Sequence, residues 1–319
     1  MFLLNYEYFL RIVELKSISK AAESLFISQP SLSKYLQRLE NHVGAELFDR
    51  KQAPLKLTLS GQLFYEYILK SIEDERSLQI QIGEIKNADR ARITIGMPLW
   101  RANTLLPAFL PQFTQKHPLV QIDLTEGPAA VLEGAIAKNE IDFGLMNLPV
   151  NYANVSYVPI VEEHIFLVGS RRNAFLQSYL PGVSDSSPYP HANIRDFTGQ
   201  PFILTQPGQH ITTFVNSALS RNSLELNCVF RTSNVSTAVN LAAANMGFTF
   251  VPEFGTQGQQ FPRDDVELFT FNDPPLRCTF AAVYKKNKYL SKAASAFISE
   301  LQEFASACII HTRNPEDPR

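Results

Sequence analysis

Residues 17–40, SISKAAESLFISQPSLSKYLQRLE, determine how the N-terminal part of the chain folds. Ala21 and Ala22 put almost no bulk on one face of a short predicted helix, so a neighbouring helix can approach closely. Ser28 then offers a capping oxygen, and Pro30 falls in the first turn of the next helix, where its missing N–H costs nothing. The stretch therefore predicts two helices joined by a tight turn.

The second of these helices, predicted from about Gln29, has two different faces. Its buried stripe follows spacings of four, three and four residues and consists of Leu32, Leu36, Leu39 and Val43. The opposite face consists of Pro30, Lys34, Gln37, Arg38 and Asn41. Apart from Pro30, these residues supply the face with hydrogen-bonding groups and cations. Ser33 lies on its flank, and Glu40, its first acidic residue, also lies toward a flank. This face suits base edges and phosphates, although a merely solvated helix face is the commoner case.

A basic hairpin is predicted after Gly44, which can end the helix. Residues 46–50 and 55–58 are predicted as short strands on either side of residues 51–54. With a first helix predicted from apolar spacing over about 6–13, this makes a winged helix-turn-helix. The whole chain has a net charge of −2, so nucleic-acid contact must come from a local basic patch on the helix and the hairpin.

The same residues resemble a known family. The ungapped match runs through Ala21-Ala22, Ser28 to Ser33, Leu39-Glu40, Gly44, Leu47 to Arg50 and Leu57 to Gly61, and it resembles the signature of LysR-type transcriptional regulators. The resemblance implies that the helix predicted from about Gln29, which is helix three of the domain, enters the major groove of double-stranded DNA. It also implies that the basic hairpin, the wing, touches the flanking backbone. The candidate DNA-binding residues are Gln29, Pro30, Ser31, Ser33, Lys34, Arg38, Arg50, Lys51 and Lys56. Arg38 is included on helix geometry alone.

One long amphipathic helix is predicted to link the two halves of the chain. Its apolar residues are Phe64, Ile68, Ile72, Leu78, Ile82 and Ile85. A single chain would leave this stripe uncovered, so dimerisation through residues 60–86 is predicted, with docking against the chain's own C-terminal half as the alternative. The predicted domains are 1–59, the winged helix-turn-helix; 60–90, a linker and dimerisation helix with a hinge at 87–90; and 91–319, an effector-binding domain.

Residues 93–97, 120–125 and 141–146 are predicted as buried strands separated by helices, a βαβαβ pattern that predicts a mostly parallel sheet. A second α/β set is predicted to follow, beginning with a strand near 163–169. The chain is thus expected to be a multi-domain α/β protein. The family resemblance implies two lobes like those of periplasmic binding proteins, holding a small effector between them. Lobe I is placed at about 91–160 plus 268–305 and lobe II at about 161–267. Residues 178–197, rich in serine and proline, are predicted as a long surface loop, either a lid or an insertion.

Ligands of open α/β sheets bind beyond the carboxyl ends of the strands, where helix N-termini present free N–H groups. The candidate effector-binding residues at these ends are Pro98, Leu99, Trp100, Arg101, Ala102, Glu126, Gly127, Pro128, Ala129, Asn147, Thr205, Gln206, His210, Thr212, Asn234, Val235, Ser236 and Phe248. Trp100 and Pro128-Ala129 stand where many relatives have small hydroxyl residues, which favours an apolar or aromatic effector. Arg101, His210 and Thr212 could still hold an anion, and Trp100 could simply fill the crevice.

Other classes of protein are disfavoured by what the sequence lacks. It has no G-x-S-x-G, H-E-x-x-H or G-x-x-x-x-G-K motif and six scattered histidines, so no enzyme, metal site or cofactor is predicted. The three cysteines are far apart and are expected to be reduced thiols. No stretch suits a bilayer and the first residues do not resemble a signal peptide, so a cytoplasmic protein is expected, without membrane partners.

Three functional hypotheses follow: an effector-gated regulator, a small-molecule binding protein without DNA contact, and an enzyme built on binding-protein lobes. The cation-bearing helix three and wing favour the first over the second. The missing catalytic motifs count against the third. The family resemblance further implies a homotetramer made of two dimers.

Overall fold

The computed structural model describes residues 5–50, 54–86, 91–180, 189–221, 223–258, 260–271 and 275–313. The chain divides into two compact units, Met1–Gly83 and Glu84–Arg319. Its helices are α1 (Tyr6–Leu15), α2 (Ile18–Ser24), α3 (Gln29–Val43), α4 (Leu59–Lys86), α5 (Leu99–Lys116), α6 (Ala129–Ala137), α7 (Ala174–Tyr179), α8 (His210–Arg221), α9 (Val235–Ala243) and α10 (Lys292–Arg313). Its strands are β1 (Phe48–Asp49), β2 (Lys56–Leu57), β3 (Ala91–Met97), β4 (Val120–Glu126), β5 (Phe143–Asn147), β6 (Val155–Ser170), β7 (His191–Ala192), β8 (Pro201–Thr205), β9 (Asn227–Thr232), β10 (Thr249–Pro252), β11 (Val266–Phe271) and β12 (Arg277–Lys285).

The N-terminal unit is a winged helix-turn-helix, as predicted. The Ser28 side chain accepts the N–H of Ser31 at 3.4 Å and caps α3, and Gly44 ends that helix with φ of 80°. Strands β1 and β2 pair antiparallel and form the wing. The buried core joins the α3 stripe to α1, α2 and the wing: Phe9, Ile12, Ala21, Ala22, Leu32, Leu36, Leu39, Leu47 and Phe48.

Helix α4 begins in close contact with the wing. The Thr58 hydroxyl donates to the Glu46 carbonyl at 2.6 Å and accepts the N–H of Gly61 at 2.9 Å. A Cβ atom at Gly61 would lie 1.9 Å from the Leu47 carbonyl oxygen, which is an impossible approach for any other residue without backbone movement. The glycine of the sequence signature is therefore needed because backbone meets backbone here.

The apolar stripe predicted on α4 divides into two parts. Phe64 packs on the N-terminal core and Ile68 is buried. Farther along the helix, Leu78, Ile82 and Ile85 are exposed. Glu84, in the C-terminal unit, accepts the Tyr289 hydroxyl at 3.0 Å and the Lys292 N–H at 2.6 Å. The last turn of α4 is thus held at the N-terminus of α10, where a carboxylate is favoured.

The parallel pairing predicted for the first three strands of the C-terminal unit is confirmed, but the complete sheet is mixed. Strand β3 pairs parallel with β4 and β5, but β12 pairs antiparallel with both β5 and β6. Strand β6 has 16 residues, although the sequence indicated a strand only near 163–169. Its first half pairs with β12 in the first lobe, and its second half pairs with β10 and β11 in the second. One strand therefore passes through both lobes.

The return from the second lobe to the first comes later than predicted. Strand β11, which begins at Val266, pairs with the second half of β6. Its side chains Phe269 and Phe271 are buried in the core of the second lobe with Phe166 and Leu167. The predicted start of the return at 268 is therefore too early, because the chain first completes the second-lobe sheet.

The predicted surface loop 178–197 is wrong for its last part. Residues 181–188 lie outside the described ranges. After them, β7 pairs parallel with β11, and a short 3-10 helix follows at Ile194–Phe197. Phe197 is fully buried and its ring packs at 5.1 Å from that of Phe248. This part of the segment is a piece of the core rather than a lid.

Candidate DNA-binding face and effector cavity

The outward face of α3 is polar and accessible. Gln29, Pro30, Ser31, Lys34 and Arg38 are exposed, and Ser33 is half-buried. The Gln29 amide donates to the Ser33 hydroxyl at 3.0 Å, which holds both side chains side by side. These two candidate DNA-binding residues therefore form one pair across the first and second turns of the helix.

The wing is tied to α3 through Glu40, which is buried instead of lying on the flank of the outward face. Its carboxylate accepts the N–H of Leu47 at 2.8 Å and that of Phe48 at 3.4 Å. Arg50 donates to its other oxygen at 2.6 Å while remaining half exposed. Arg50 thus has a structural partner within the domain. Lys56 is exposed on β2, and Lys51 lies outside the described residues.

A cavity of about 420 Å³ opens at the carboxyl ends of β3, β4 and β5 in the C-terminal unit. The N-termini of α5, α6, α8 and α9 surround it. The predicted residues that line it are Pro98, Leu99, Trp100, Glu126, Gly127, Pro128, Ala129, Asn147, His210, Asn234 and Val235. The sequence reading missed Gln209, Ile211 and Ser233, which also line it. Their position beside the starts of α8 and α9 could have indicated from the sequence that they line the cavity.

Seven of the predicted residues do not line this cavity: Arg101, which is described below, and six others. Ala102 and Phe248 are buried in the cores of the two lobes. The hydroxyls of Thr205 and Thr212 lie 2.5 Å apart and bond to each other beneath the surface. Gln206 is exposed, and Ser236 lies in a neighbouring cavity. These six come from the same strand and helix ends, but their side chains point into a core or away from the opening.

Arg101 is not available to hold an anion, which corrects the prediction. Its side chain is fully buried, and Nη2 lies 2.5 Å from Glu163 Oε1 and 2.9 Å from Asn147 Oδ1. Its guanidinium carbon also stands 4.1 Å from the centre of the Phe280 ring and 4.6 Å from that of Trp100. The charge is therefore satisfied inside the protein.

This ion pair marks the place where the chain crosses between the lobes. Glu163 Oε2 accepts the N–H of Phe254 at 2.9 Å, and Asn147 donates to the Cys278 sulfur at 2.9 Å. Burial and the Glu163 carboxylate raise the pKa of the Cys278 thiol. Strand β6, the 3-10 helix Glu253–Gln257 that follows β10, and strand β12 all contribute groups to this cluster. These three segments each lead from one lobe core to the other, so the cluster joins the crossing segments, and it leaves Cys278 an unreactive thiol.

The cavity contains little formal positive charge. Burial, and then the charge of Arg101, lower the pKa of His210, so its imidazole is neutral at pH 7. Helices α5 and α6 are preceded by Pro98 and Pro128, and neither helix has a side-chain cap. The first backbone N–H groups of both helices are therefore free to bind an acceptor from a ligand. Among the described residues, no group of three His, Cys, Asp or Glu side chains is placed to hold a metal ion.

A second cavity, of about 470 Å³, lies on the other side of Trp100. It shares Trp100, Asn234 and Val235 with the first cavity. The side chains that line it are uncharged, among them Asn103 and Gln257. Trp100 is therefore a wall between two openings instead of a plug that fills one crevice.

Two family models match this chain. The one described as LysR substrate binding domain matches residues 86–306, and the one described as bacterial regulatory helix-turn-helix protein, lysR family, matches residues 3–62. Together they match most of each unit. The chain belongs to the LysR family.

Relatives of known sequence and structure agree with the LysR family assignment. The chain is 29% identical to the HTH-type transcriptional regulator YcgK of Bacillus subtilis, over 95% of this chain and 96% of YcgK. The structure of a Corynebacterium glutamicum OxyR C206 mutant is similar with a TM-score of 0.60 and 20% identity, covering 97% of this chain and 94% of OxyR. Full-length CbnR in complex with its target DNA has a TM-score of 0.54 and 17% identity, covering 94% and 99%. At these identities, the two structural matches show the fold.

This chain is a DNA-binding transcriptional regulator with a small-molecule effector, since LysR-family proteins are regulators of this kind and not enzymes. The N-terminal unit is the DNA-binding domain, and the C-terminal unit is the effector domain. Among the described residues, no helix is both long enough and apolar enough to cross a bilayer.

Proposed function

We propose that the effector binds in the 420 Å³ cavity at the strand ends. The observation that carries this proposal is that residues of both lobes line one opening, with Leu99 and Pro128 on one side and His210 and Asn234 on the other. A ligand held by both lobes stabilises one relative orientation of them over others. Binding there can therefore be transmitted along β6 and the other crossing segments.

The proposed effector has an apolar or aromatic body and one hydrogen-bond acceptor. Trp100, Leu99 and Ile211 offer apolar surface, whereas the guanidinium of Arg101, which follows Trp100 in the chain, is bound to Glu163. An oxygen of the ligand would instead accept backbone N–H groups at the starts of α5 and α6, which bear partial positive charge. A ligand with several negative charges does not suit this lining, because Glu126 contributes a carboxylate to it.

We further propose that α3 lies in the major groove and that the wing contacts phosphates. The exposed pair Gln29 and Ser33 suits base edges, and the exposed cations Lys34, Arg38 and Lys56 suit the backbone. CbnR, which shares the fold, is seen bound to its target DNA. Arg50 and Lys51 remain proposed phosphate contacts, although Arg50 also binds Glu40.

The proposed assembly is a homotetramer of two dimers in the cytoplasm. Leu78 and Ile82 are exposed on α4, which supports pairing of this helix with the same helix of a second copy. The effector would change the orientation of the lobes, shift the spacing of paired DNA-binding domains and alter the bend of the DNA.

Gln29→Ala is expected to change sequence preference. Loss of a base-edge contact costs about 1–3 kcal/mol of discrimination at one base pair and little elsewhere. Lys56→Ala is the matched control, because the loss of a phosphate contact weakens binding to all DNA sequences similarly. It also lowers the slope of log K against log salt concentration by about one. Lys51→Ala should behave like Lys56→Ala. Binding to a library of duplexes at several salt concentrations separates the two effects, and a proportional loss in both variants would contradict the division of roles.

Filling the cavity is expected to abolish the effector response. Ala129 lines the opening, whereas Ala130 beside it is exposed and does not. Ala129→Phe should therefore remove most of the binding of an effector found in a panel of aromatic acids, amides and alcohols, and Ala130→Phe should retain it. Trp100 is the single tryptophan, so its fluorescence reports binding directly. A compound that binds by calorimetry but leaves both Trp100 fluorescence and DNA binding unchanged would rule the proposed site out.

A further inference from the structure

Phe26 occupies a backbone conformation that favours glycine. It lies in the turn between α2 and α3 with φ of 56°, in the left-handed region. Two hydrogen bonds define this turn as the C-terminal cap of α2: Phe26 N–H to the Glu23 carbonyl at 3.1 Å, and Ile27 N–H to the Ala22 carbonyl at 3.0 Å. Glycine is the usual residue at this point of such a cap, because a Cβ atom is strained there.

The phenyl ring does not compensate for this strain within the protein. The residue is 96% exposed, so its side chain buries almost no surface. A bulky side chain in the left-handed region costs about 1–2 kcal/mol, and a glycine would remove that cost. A single exposed apolar residue is ordinary, but a bulky residue in the left-handed region is uncommon. Phe26 is both exposed and strained, so the stability of the fold does not account for a phenyl ring at this position.

The position of the ring next to the DNA-reading helix indicates what it contacts. Phe26 stands two residues before the cap residue Ser28 and three before Gln29, at the N-terminal end of α3, which also holds the proposed base-reading pair Gln29 and Ser33. In helix-turn-helix proteins, this N-terminal end of the second helix is the part that approaches the base edges. An apolar ring at that edge is suited to the methyl group of thymine, the one apolar group in the major groove.

We propose that Phe26 is a specificity-determining residue that packs its ring on a thymine methyl group at the edge of the sequence read by Gln29. The strain in the turn is then offset in the complex, where the ring is removed from water. This inference rests on the proposed placement of α3 in the major groove. It adds an apolar contact to the hydrogen bonds and phosphate contacts already assigned.

The test uses the full chain and a duplex selected from a random-sequence library by the unmodified protein. Phe26→Gly and Phe26→Asn both suit the left-handed conformation and remove the ring. We expect both variants to melt no lower than the parent protein. We expect Phe26→Gly to bind the selected duplex about tenfold more weakly, as the loss of one buried aromatic ring implies, and unselected genomic DNA with unchanged affinity.

Replacing thymines of the selected duplex one at a time by deoxyuridine removes only the methyl group. One such replacement should weaken the parent protein about three- to fivefold and leave Phe26→Gly unaffected, because the contact is already absent. The inference is overturned if every deoxyuridine duplex binds the parent normally, if the glycine variant loses affinity equally for all DNA, or if it melts lower. It is also overturned if DNA binding is unchanged while transcription falls, which would indicate a protein partner. Gln29→Ala, measured on the same duplexes, tests the placement of α3 separately.

Discussion

Replacing Arg101 by methionine is expected to lower the free energy of unfolding of the C-terminal unit by about 3–5 kcal/mol. Arg101 and Glu163 are both fully buried, so the variant leaves a carboxylate without its cation in a region closed to water. The contact of the guanidinium with the Phe280 ring, at 4.1 Å, is lost as well. Methionine keeps an unbranched chain of similar length and limits the cavity that is formed.

The matched control is the double variant Arg101→Met, Glu163→Gln. Removing both charges should restore a large part of the lost stability, because the main cost is the unpaired carboxylate and not the absence of the pair. Urea unfolding followed through Trp100 reports this unit, since the chain has one tryptophan and it lies at the start of α5 beside Arg101. A loss below about 1 kcal/mol in the single variant would mean that water reaches Glu163.

Removal of the Glu40 carboxylate is the second change with a large expected effect. Glu40→Ala should lower the stability of the DNA-binding domain by about 2–4 kcal/mol and weaken binding to all DNA sequences. The carboxylate accepts two backbone N–H groups of the wing, those of Leu47 and Phe48, and one bond from Arg50. Without it, two buried donors lose their acceptor, and the wing is no longer held against α3.

Arg50→Ala separates the two consequences of that change. It removes the cation but leaves both backbone bonds to Glu40 in place, so stability should fall much less than in Glu40→Ala. The measurements are the thermal unfolding transition of the DNA-binding domain within the full chain and the salt dependence of DNA binding. If Glu40→Ala were as stable as the parent and lost DNA affinity only through Arg50, the positioning role of Glu40 would be wrong.

Trp100 connects the two cavities with the buried ion pair. Its ring faces both openings and also stands 4.6 Å from the Arg101 guanidinium. Asn147 has a similar double role, since it lines the 420 Å³ cavity and bonds to both Arg101 and Glu163. A ligand that moves either side chain therefore acts directly on the cluster at the crossing between the lobes.

The bounds and the two faces of helix α3 follow from local sequence. Ser28, Pro30 and Gly44 set the bounds of α3 through backbone chemistry that acts within one or two turns, and the leucine spacing separates its buried face from its outward face. The same local rules located most strand ends around the 420 Å³ cavity, and eleven of its lining residues were among those predicted from the sequence. Capping, helix periodicity and strand order need no knowledge of distant partners.

Tertiary structure alone decided which polar residues are free to act. Nothing near Arg101 in the sequence indicates that its partner is Glu163, 62 residues away, and Glu40 is buried because the wing, several residues later, returns over it. Burial of Phe197 and the passage of β6 through both lobes depend on pairing with strands that come from far along the chain. The reason is physical: a charge or ring is satisfied by whatever lies within a few ångströms in the folded state, and that neighbour is set by packing rather than by sequence distance.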